Sequence, residues 1–343
     1  MALNPCHPWN PWFRSAASTR NLHPPAAVPP GVRVLVTGAS GLVGDHLLPR
    51  LVQAGHTVVA LSRAPARHLW PTGVVVVPWD AQGAIPPVAA DAAVNLAGER
   101  VIGKRWDDRQ RQRLRASRIV PTQRLAEWAA SAGATTLVSA SAAGYYGVWP
   151  TGPCPESREA GDDFLAQLCV DWEAAANAFP GRVAVVRFGH VLSRLGGYLK
   201  EILPFADVGL AGPIAGGRQP MPWVHAEDVA SAILWALEGD ARGPHNVVSP
   251  GAAGHTQKEF AKALGKAVRR PQLPVPGFAL KLRYGSAAGP VLLGGQDMRA
   301  ERLLEAGFQF QHADLDATLQ ELVRQRQHPQ IAQISSEKSA KSE

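Results

Sequence analysis

A short strand pattern followed by a glycine-rich turn constrains the fold of this chain more than any other feature. Val32-Arg-Val-Leu-Val36 is a β-branched apolar run, which is typical of a strand buried on both faces. Gly38, Gly41 and Gly44 follow at three-residue spacing, and the amphipathic stretch 42–54 predicts a helix. A strand, a turn and a helix in this order predict the first unit of an α/β fold and a turn that binds phosphate.

The glycines of this turn have different expected roles. Gly38 permits the tight turn, Gly41 lets the backbone approach a pyrophosphate, and Gly44 lets the helix pack closely on the strand. An ordinary glycine-rich turn is the alternative, but a second strand pattern at 57–62 lies at the distance expected for a dinucleotide-binding unit. The residues of the turn expected to contact the cofactor are Gly38, Ser40, Gly41, Leu42, Val43 and Gly44.

Beyond the turn, strand and helix patterns alternate along the chain. This alternation predicts a Rossmann-like, doubly wound parallel sheet with right-handed crossovers, in which ligands bind beyond the carboxyl ends of the strands. The regular alternation stops beyond Gly196, which predicts a smaller C-terminal substrate lobe. The predicted strands are 32–36, 57–62, 74–78, 92–95, 136–139, 182–187 and 245–248, and the longer helices are 42–54, 108–132, 164–179 and 229–237.

Four segments are expected in the chain. Residues 1–30 are rich in proline without a periodic apolar pattern and are expected to form a flexible extension. Residues 31–250 form the predicted dinucleotide-binding domain, within which 196–222 contribute to the substrate lobe. The C-terminal lobe is expected at 251–325, and residues 326–343 are expected to be a disordered tail.

Cysteine count, hydropathy and charge exclude several classes of function. Three cysteines are too few for a disulfide framework, no Cys/His cluster has metal-ligand spacing, and no metal site is expected. No stretch reaches the ~18 uninterrupted apolar residues of a membrane span. Seven basic residues lie between Lys104 and Arg118, which is typical of a solvated helix face, with a patch for an anionic substrate as the alternative. No recognition motif accompanies them, so nucleic acid is not an expected partner.

The N-terminal segment bears on location. Residues 1–30 contain Arg, Ser and Thr but no acidic residue, a composition that also suits an organelle transit peptide. The few, scattered cysteines indicate a reducing compartment, so the cytoplasm is the expected location. A plastid or mitochondrion is the alternative if this segment is a transit peptide.

Residues at the ends of the second and third strands indicate the choice of cofactor. Arg63 ends the second strand, 19 residues after Gly44, where an NAD-preferring fold places an acidic residue. A guanidinium there pairs instead with a 2′-phosphate, which predicts NADP, with a surface arginine as the alternative. Asp80 follows the third strand and is expected to contact the adenine or to form a turn.

Further cofactor contacts are expected where other strands end. Gly98 would allow close approach to the central section of the cofactor, and the residues after the sixth strand would meet the nicotinamide carboxamide. A plain turn is the alternative for the segment around Gly98. The residues concerned are Ser62, Asn95, Leu96, Ala97, Gly98, Ser139, Arg187, Gly189 and Val191.

Motifs spread along the chain resemble a known superfamily. The glycine-rich turn, Asn95-Leu-Ala-Gly98 and Ser139-Ala-Ser-Ala-Ala-Gly-Tyr-Tyr-Gly147 resemble the extended short-chain dehydrogenases/reductases of the nucleotide-sugar epimerase type. A second set of motifs resembles the atypical subgroup called family 39U, or epimerase family proteins, over residues 31–323. It comprises Asn95-Leu-Ala-Gly-Glu99, Arg105-Trp106, Ser117-Arg118, Trp172-Glu173, Gly216–Gln219, Pro222-Trp-Val-His225 and Gly307-Phe308.

The resemblance implies an NADP-dependent oxidoreductase or epimerase that acts on a carbonyl or sugar-like small molecule. This chain departs from the superfamily pattern at one motif. Ordinary members carry Tyr-x-x-x-Lys on the helix after the fifth strand, where Tyr exchanges a proton and Lys lowers its pKa and holds the nicotinamide ribose. With Glu173 as the register mark, these positions are Leu165 and Cys169. Cys169 is expected to be buried and inert.

Four other side chains are therefore catalytic candidates. Ser141 matches the substrate-polarising hydroxyl, or is a strand-end serine that satisfies backbone groups. Of Tyr145 and Tyr146, one is expected in the core and one facing substrate. His225 is expected to carry a proton near neutral pH or to be a buried residue that fixes its loop.

Two classes of function follow from intact cofactor motifs without the usual Tyr/Lys pair. The first is an NADP(H)-dependent enzyme, and the alternative is a non-catalytic NADP(H)-binding sensor or scaffold. The expected partner is a small molecule, and the oligomeric state is left open, with a homodimer as one option.

Overall fold

The computed structural model describes residues 31–101, 104–148, 152–278 and 294–327, with side chains to Arg324. The predictions for residues 1–30 and for 328–343 lie outside these ranges. The strands are β1 (Arg33–Thr37), β2 (Thr57–Ser62), β3 (Val74–Pro78), β4 (Ala92–Asn95), β5 (Thr136–Ala142), β6 (Pro153–Cys154), β7 (Arg182–Phe188), β8 (His190–Leu192), β9 (Trp223–His225), β10 (Gly243–Val247) and β11 (Asp297–Met298). The helices are α1 (Leu42–Gln53), α2 (Asp108–Ser131), α3 (Phe164–Asn177), α4 (Gly197–Asp207), α5 (Ala226–Glu238), α6 (Gln257–Ala267), α7 (Glu301–Glu305) and α8 (Leu315–Gln327).

Seven of the strands form one parallel sheet in the order β10-β7-β5-β4-β1-β2-β3. The apolar run of β1 explains its central place, because Val34, Leu35 and Val36 are fully buried between helices on both faces. The strand order reverses direction between β1 and β4, and a ligand crevice opens at such a switch point. The chain therefore has the Rossmann-like α/β fold that the sequence predicted.

The predicted bounds hold best where an apolar run ends at a polar residue or at a proline. Strands β2, β3 and β4 coincide with their predictions. Strand β5 runs to Ala142, three residues beyond its predicted end, because Ser139 and Ser141 find buried partners instead of solvent. Helix α5 begins at Ala226, earlier than predicted, because the His225 side chain accepts the Glu227 N–H and caps the helix.

The C-terminal part adds two small sheets and packs on the same core. Strand β8 pairs with β9, and β6 pairs with β11, each in parallel. A single apolar cluster contains Val34 and Leu47 of the first βα unit together with Leu315 and Leu319 of α8. Helix α8 extends to Gln327, so the first two residues of the predicted tail are helical. None of the helices in the described ranges combines the length and apolarity needed to cross a bilayer.

Candidate functional site

The glycine-rich turn has the three-part geometry predicted for it. Gly38 has φ +66°, and a Cβ on it would overlap the backbone of Leu96 and Ala97. A Cβ on Gly44 would overlap the backbone of Ala39, so this glycine lets α1 lie against the end of β1. Both positions therefore require glycine for the turn itself, whether or not a ligand is bound.

Gly41 differs from the other two glycines because its face is open. A Cβ there would have a single described neighbour within 4 Å, the carbonyl oxygen of Gly38 at 3.1 Å. Gly41 is also the N-cap of α1, and no side chain caps the helix. No side chain therefore covers the N–H groups at the start of α1. Uncapped N–H groups at a helix N-terminus are the arrangement that accepts a pyrophosphate.

The end of β4 is fixed by the buried side chain of Asn95. Its Oδ1 accepts from Thr37 Oγ1 at 2.8 Å and from Ala97 N at 3.2 Å. Its Nδ2 donates to Thr122 Oγ1 at 2.7 Å and to Ser139 Oγ at 3.1 Å. Because both ends of the amide are engaged, Asn95 shapes the turn, and any cofactor contact here falls to the backbone of 96–98.

The structure gives Gly98 a neighbour that the sequence did not suggest. A Cβ on Gly98 would lie 3.3–3.4 Å from the guanidinium of Arg118, so the glycine allows close approach of an arginine from α2. Arg118 is 9% exposed, and burial lowers the pKa of its guanidinium. The expectation that the whole basic run 104–118 is a solvated face is therefore wrong for Arg118.

The two residues expected at the adenosine end of the cofactor have different surroundings. Arg63 is exposed directly after β2 and has no hydrogen bond or ion pair within the described ranges. Beside it, Ser62 Oγ accepts from Ala64 N at 3.3 Å. Asp80 Oδ1 accepts from the N–H groups of Gln82 and Gly83 at 2.8 and 2.9 Å, and these bonds lower the pKa of its carboxyl. Asp80 is thus the turn-forming residue that was its alternative assignment.

A buried polar network lies where β5 and β7 end. Arg187 makes a bidentate ion pair with Glu173, with Nε to Oε1 and Nη2 to Oε2 both 2.8 Å. Ser141 donates to Glu173 Oε1 at 2.6 Å. The hydroxyl of Tyr146 accepts from Arg187 Nη1 at 3.1 Å and donates to Asn246 Oδ1 at 2.7 Å. Burial raises the pKa of Tyr146 to about 12.

These contacts separate the predicted catalytic hydroxyls. Ser141 and Tyr146 are 1% and 2% exposed and belong to the network, so Tyr146 is the core tyrosine. Ser141 bonds to a carboxylate rather than to the backbone groups of its alternative assignment. Tyr145 is half-buried, and its ring centroid lies 3.4 Å from Cζ of Arg187. Tyr145 is thus the tyrosine of the pair that remains available to a substrate.

The helix after β5 has no acid/base pair at the positions expected for one. A Cβ on Gly144, in the turn after β5, would lie 3.2 Å from Leu165 Cβ and 3.7 Å from Cys169 Sγ. Leu165 and Cys169 therefore face this turn, as the register through Glu173 implied. Burial raises the pKa of the Cys169 thiol to about 12, in agreement with its predicted inertness.

His225 lies in a cluster with two other histidines. Its ring stacks on His312 at 3.8 Å between centroids and lies 6.4 Å from the ring of His46. Burial lowers the pKa of His225, so it is neutral near pH 7 and caps α5, which was its alternative assignment. Its Nε2 has no partner within the described ranges.

His225, Glu227 and His312 form a group that the sequence did not bring together. Their ligand atoms lie within 4.8 Å of one another, close enough for a metal ion. Arg50 also donates to Glu227 at 3.4 Å, and the hydrogen bond between His312 and Glu227 raises the pKa of His312. The raised pKa of His312 and the nearby Arg50 favour ion pairing with Glu227 in this cluster.

Two family models and several curated proteins match this chain. A model of the NAD dependent epimerase/dehydratase family matches residues 34–249, and a domain of unknown function, DUF1731, matches residues 275–322. The epimerase family protein Mb2239 of Mycobacterium bovis is 40% identical over 296 residues, covering 83% of this chain and 96% of that protein.

Of two further relatives, one has a crystal structure and the other has a name that gives an organelle. Human epimerase family protein SDR39U1 is 37% identical over 304 residues, covering 85% of this chain and all of that protein. The crystal structure of its isoform 2 with NADPH has a TM-score of 0.76 to this chain at 34% identity, covering 85% and 99% of the two chains. The homolog from Arabidopsis thaliana, 35% identical over 293 residues, covers 81% of this chain and 83% of that protein and is named chloroplastic.

Proposed function

Because the chain belongs to the NAD dependent epimerase/dehydratase family, we propose that it is an NADP(H)-dependent oxidoreductase that reduces a small carbonyl or sugar-like molecule. The observation that carries the proposal is the pairing of an uncovered pyrophosphate turn at Gly41 with an unpaired guanidinium at Arg63. The relative solved with NADPH supports the same cofactor.

The residues around the crevice divide the binding of NADP(H) among them. The backbone of the turn and the start of α1 would hold the pyrophosphate, and Arg63 would pair with the 2′-phosphate. The backbone of Leu96, Ala97 and Gly98 would line the central section. Gly189 and Val191, which follow β7, would meet the nicotinamide carboxamide. The bound cofactor supplies a hydride, and the chain must supply a proton to the oxygen that becomes a hydroxyl.

Tyr145 is the proposed donor of that proton. Of the four predicted catalytic residues, Tyr145 is the one whose side chain is partly exposed. Within the described part of the chain, its hydroxyl forms no hydrogen bond. The guanidinium of Arg187 lies against its ring, which fixes the ring and places a positive charge beside it. Ser141 and Tyr146 would position Tyr145 through the network behind it.

Cofactor preference provides the first test. In Arg63→Ala we expect NADPH to bind about tenfold or more weakly and NADH to bind almost as before, because losing a charge-assisted contact costs ~1.5–3 kcal/mol. Isothermal calorimetry with both cofactors measures this difference. Arg67→Ala, which removes another cation after β2, is the matched control and should change neither affinity. Equal losses for both cofactors in Arg63→Ala would contradict the assignment.

Proton donation provides the second test. A positioned acid contributes ~10²–10⁴-fold, so Tyr145→Phe should lower kcat for carbonyl reduction by about that factor with NADPH binding unchanged. A panel of carbonyl compounds and nucleotide sugars should be assayed in both directions with wild type, Tyr145→Phe, Ser141→Ala, Tyr146→Phe and His225→Ala. We expect reduction by NADPH to exceed oxidation by NADP⁺, since Cys169 stands at the position of the lysine that activates the base in ordinary members. Tyr198→Phe, at a half-buried tyrosine of α4, is the matched control.

The non-catalytic sensor or scaffold is the second candidate function. It is favoured by Leu165 and Cys169 at the Tyr and Lys positions and by the burial of Ser141 and Tyr146. Tight NADPH binding without turnover on any member of the panel would support it. Rapid NADP⁺-dependent oxidation that survives all four substitutions would instead place the acid/base elsewhere.

We keep the cytoplasm as the proposed compartment. A plastid or mitochondrion is the alternative if residues 1–30 are a transit peptide, and the chloroplastic name of the Arabidopsis relative agrees with that alternative.

A further inference from the structure

Arg118 is a buried cation that the described part of the fold does not pair with a carboxylate. Its Nη2 donates to the carbonyl oxygen of Glu99 at 2.8 Å, and its Nη1 donates to the carbonyl oxygen of Leu114 at 3.2 Å and to Ser117 Oγ at 3.4 Å. All three acceptors are neutral. The carboxylate of Glu99 is engaged by Lys104, with Nζ to Oε1 at 2.5 Å.

An unpaired guanidinium at this depth has an energetic cost that its three neutral acceptors offset only in part. Removing a charge from water is expensive unless an opposite charge or a full set of hydrogen bonds replaces the water. Burial lowers the pKa of Arg118 accordingly, and Cys169 and Glu99 counter the shift only partly. A guanidinium carries five N–H donors, so those three contacts leave donors free for a ligand.

The guanidinium of Arg118 lies at the edge of the sheet where the cofactor crevice is expected. It lies against Gly98, at the carboxyl end of β4, and its Cζ is 5.2 Å from the ring of Trp172. It also interacts electrostatically with Cys169, the residue at the Lys position of α3. Cys169 carries no positive charge at that position, and an arginine from α2 brings positive charge beside it.

We infer that Arg118 supplies from α2 the cation that α3 lacks, and that its free N–H groups bind the ribose hydroxyls at the nicotinamide end of NADP(H). This inference rests on the proposed function, because it needs the cofactor to lie in the crevice. Arg118 and Arg63 then hold opposite ends of the same molecule.

A purely structural role makes a different prediction. The Arg118–Glu99 bond, together with Ser117 Oγ accepting from Glu99 N at 3.1 Å, fastens the segment after β4 to α2. A structural fastener depends on the forked guanidinium and would be lost in Arg118→Lys as in Arg118→Met. A contact to ribose hydroxyls depends on a cation and should persist in part when lysine replaces arginine.

Calorimetry with NADPH and with adenosine 2′,5′-bisphosphate distinguishes the two ends of the cofactor. The second probe carries the adenine and the 2′-phosphate but lacks the nicotinamide riboside. In Arg118→Met we expect NADPH to bind about tenfold more weakly and the bisphosphate to bind as in wild type. Arg118→Lys should recover at least part of the loss for NADPH. Arg109→Met removes an exposed cation from the same helix and should change neither affinity.

The other outcomes overturn either the inference about Arg118 or the proposed function. Equal weakening of both probes in Arg118→Met and Arg118→Lys would assign Arg118 to the structure alone, and unchanged NADPH binding in both variants would also overturn the inference. If Arg118→Met does not fold, Arg118→Lys decides alone, and equal weakening of NADPH and of the bisphosphate in that variant overturns the inference. Wild type that binds neither probe would overturn the proposed function itself, and the inference with it.

Discussion

Arg187→Met is expected to lower the free energy of unfolding by about 3–5 kcal/mol, the usual cost of removing one partner of a buried ion pair. Arg187 is 3% exposed and Glu173 is 9% exposed, so the substitution leaves a carboxylate in the core with Ser141 as its remaining side-chain donor. Urea unfolding followed by circular dichroism measures the loss.

The double variant Arg187→Met with Glu173→Met tests the reason for that loss. Removing both charges eliminates the uncompensated carboxylate, and a hydrophobic pair of similar volume often restores stability. We therefore expect the double variant to be more stable than Arg187→Met alone. Arg124→Met breaks an exposed pair with Glu127 and should cost about 0–1 kcal/mol. A double variant as unstable as the sum of the two single variants would contradict this account.

Alanine at Gly41 and at Gly44 should have opposite consequences. At Gly44 the added Cβ overlaps the Ala39 backbone, and forced separation of α1 from β1 should cost about 1–3 kcal/mol or more. At Gly41 the added Cβ meets the carbonyl oxygen of Gly38 at 3.1 Å, a tight contact that a shift of a few tenths of an ångström relieves, so stability should change by less than about 1 kcal/mol. The same methyl group would occupy the path of the pyrophosphate, and NADPH affinity should fall at least tenfold.

The pair of variants is its own control, because each carries the same change three residues apart. Thermal unfolding without cofactor and calorimetry with NADPH report the two effects separately. An unstable Gly41→Ala would show that this face of the turn is not open. A Gly41→Ala that binds NADPH as wild type does would show that the pyrophosphate does not lie there.

The sheet could be predicted from the sequence because its determinants are local. Strands β2 and β4 are apolar runs that end at a polar residue, β3 is an apolar run that ends at a proline, and the spacing of the three glycines defines the turn. The length of β5 could not be predicted, since Ser139 and Ser141 resemble a strand end until their buried partners are known. Those partners come from other elements of the chain.

The same reason explains which parts of the site were missed. Arg118 resembles its solvated neighbours in a basic helix, and only the fold brings Gly98 against it. His312 is remote in sequence from His225, so their stacking has no local signal. Where the sequence left two assignments for Asp80, Tyr146 and His225, burial and hydrogen bonds favoured the structural one.

The shared core has a consequence for how the gene can be divided. The family match ends at residue 249, yet Leu315 and Leu319 belong to the same apolar cluster as β1, and Asp228 accepts the N–H groups of Gln311 and His312 at 2.8 and 3.0 Å. A fragment that stops at residue 249 would leave an acidic side chain and part of the core facing solvent. We therefore expect expression fragments and fusion junctions to be tolerated best beyond Arg324, because the segment matched by the family model shares its core with α8.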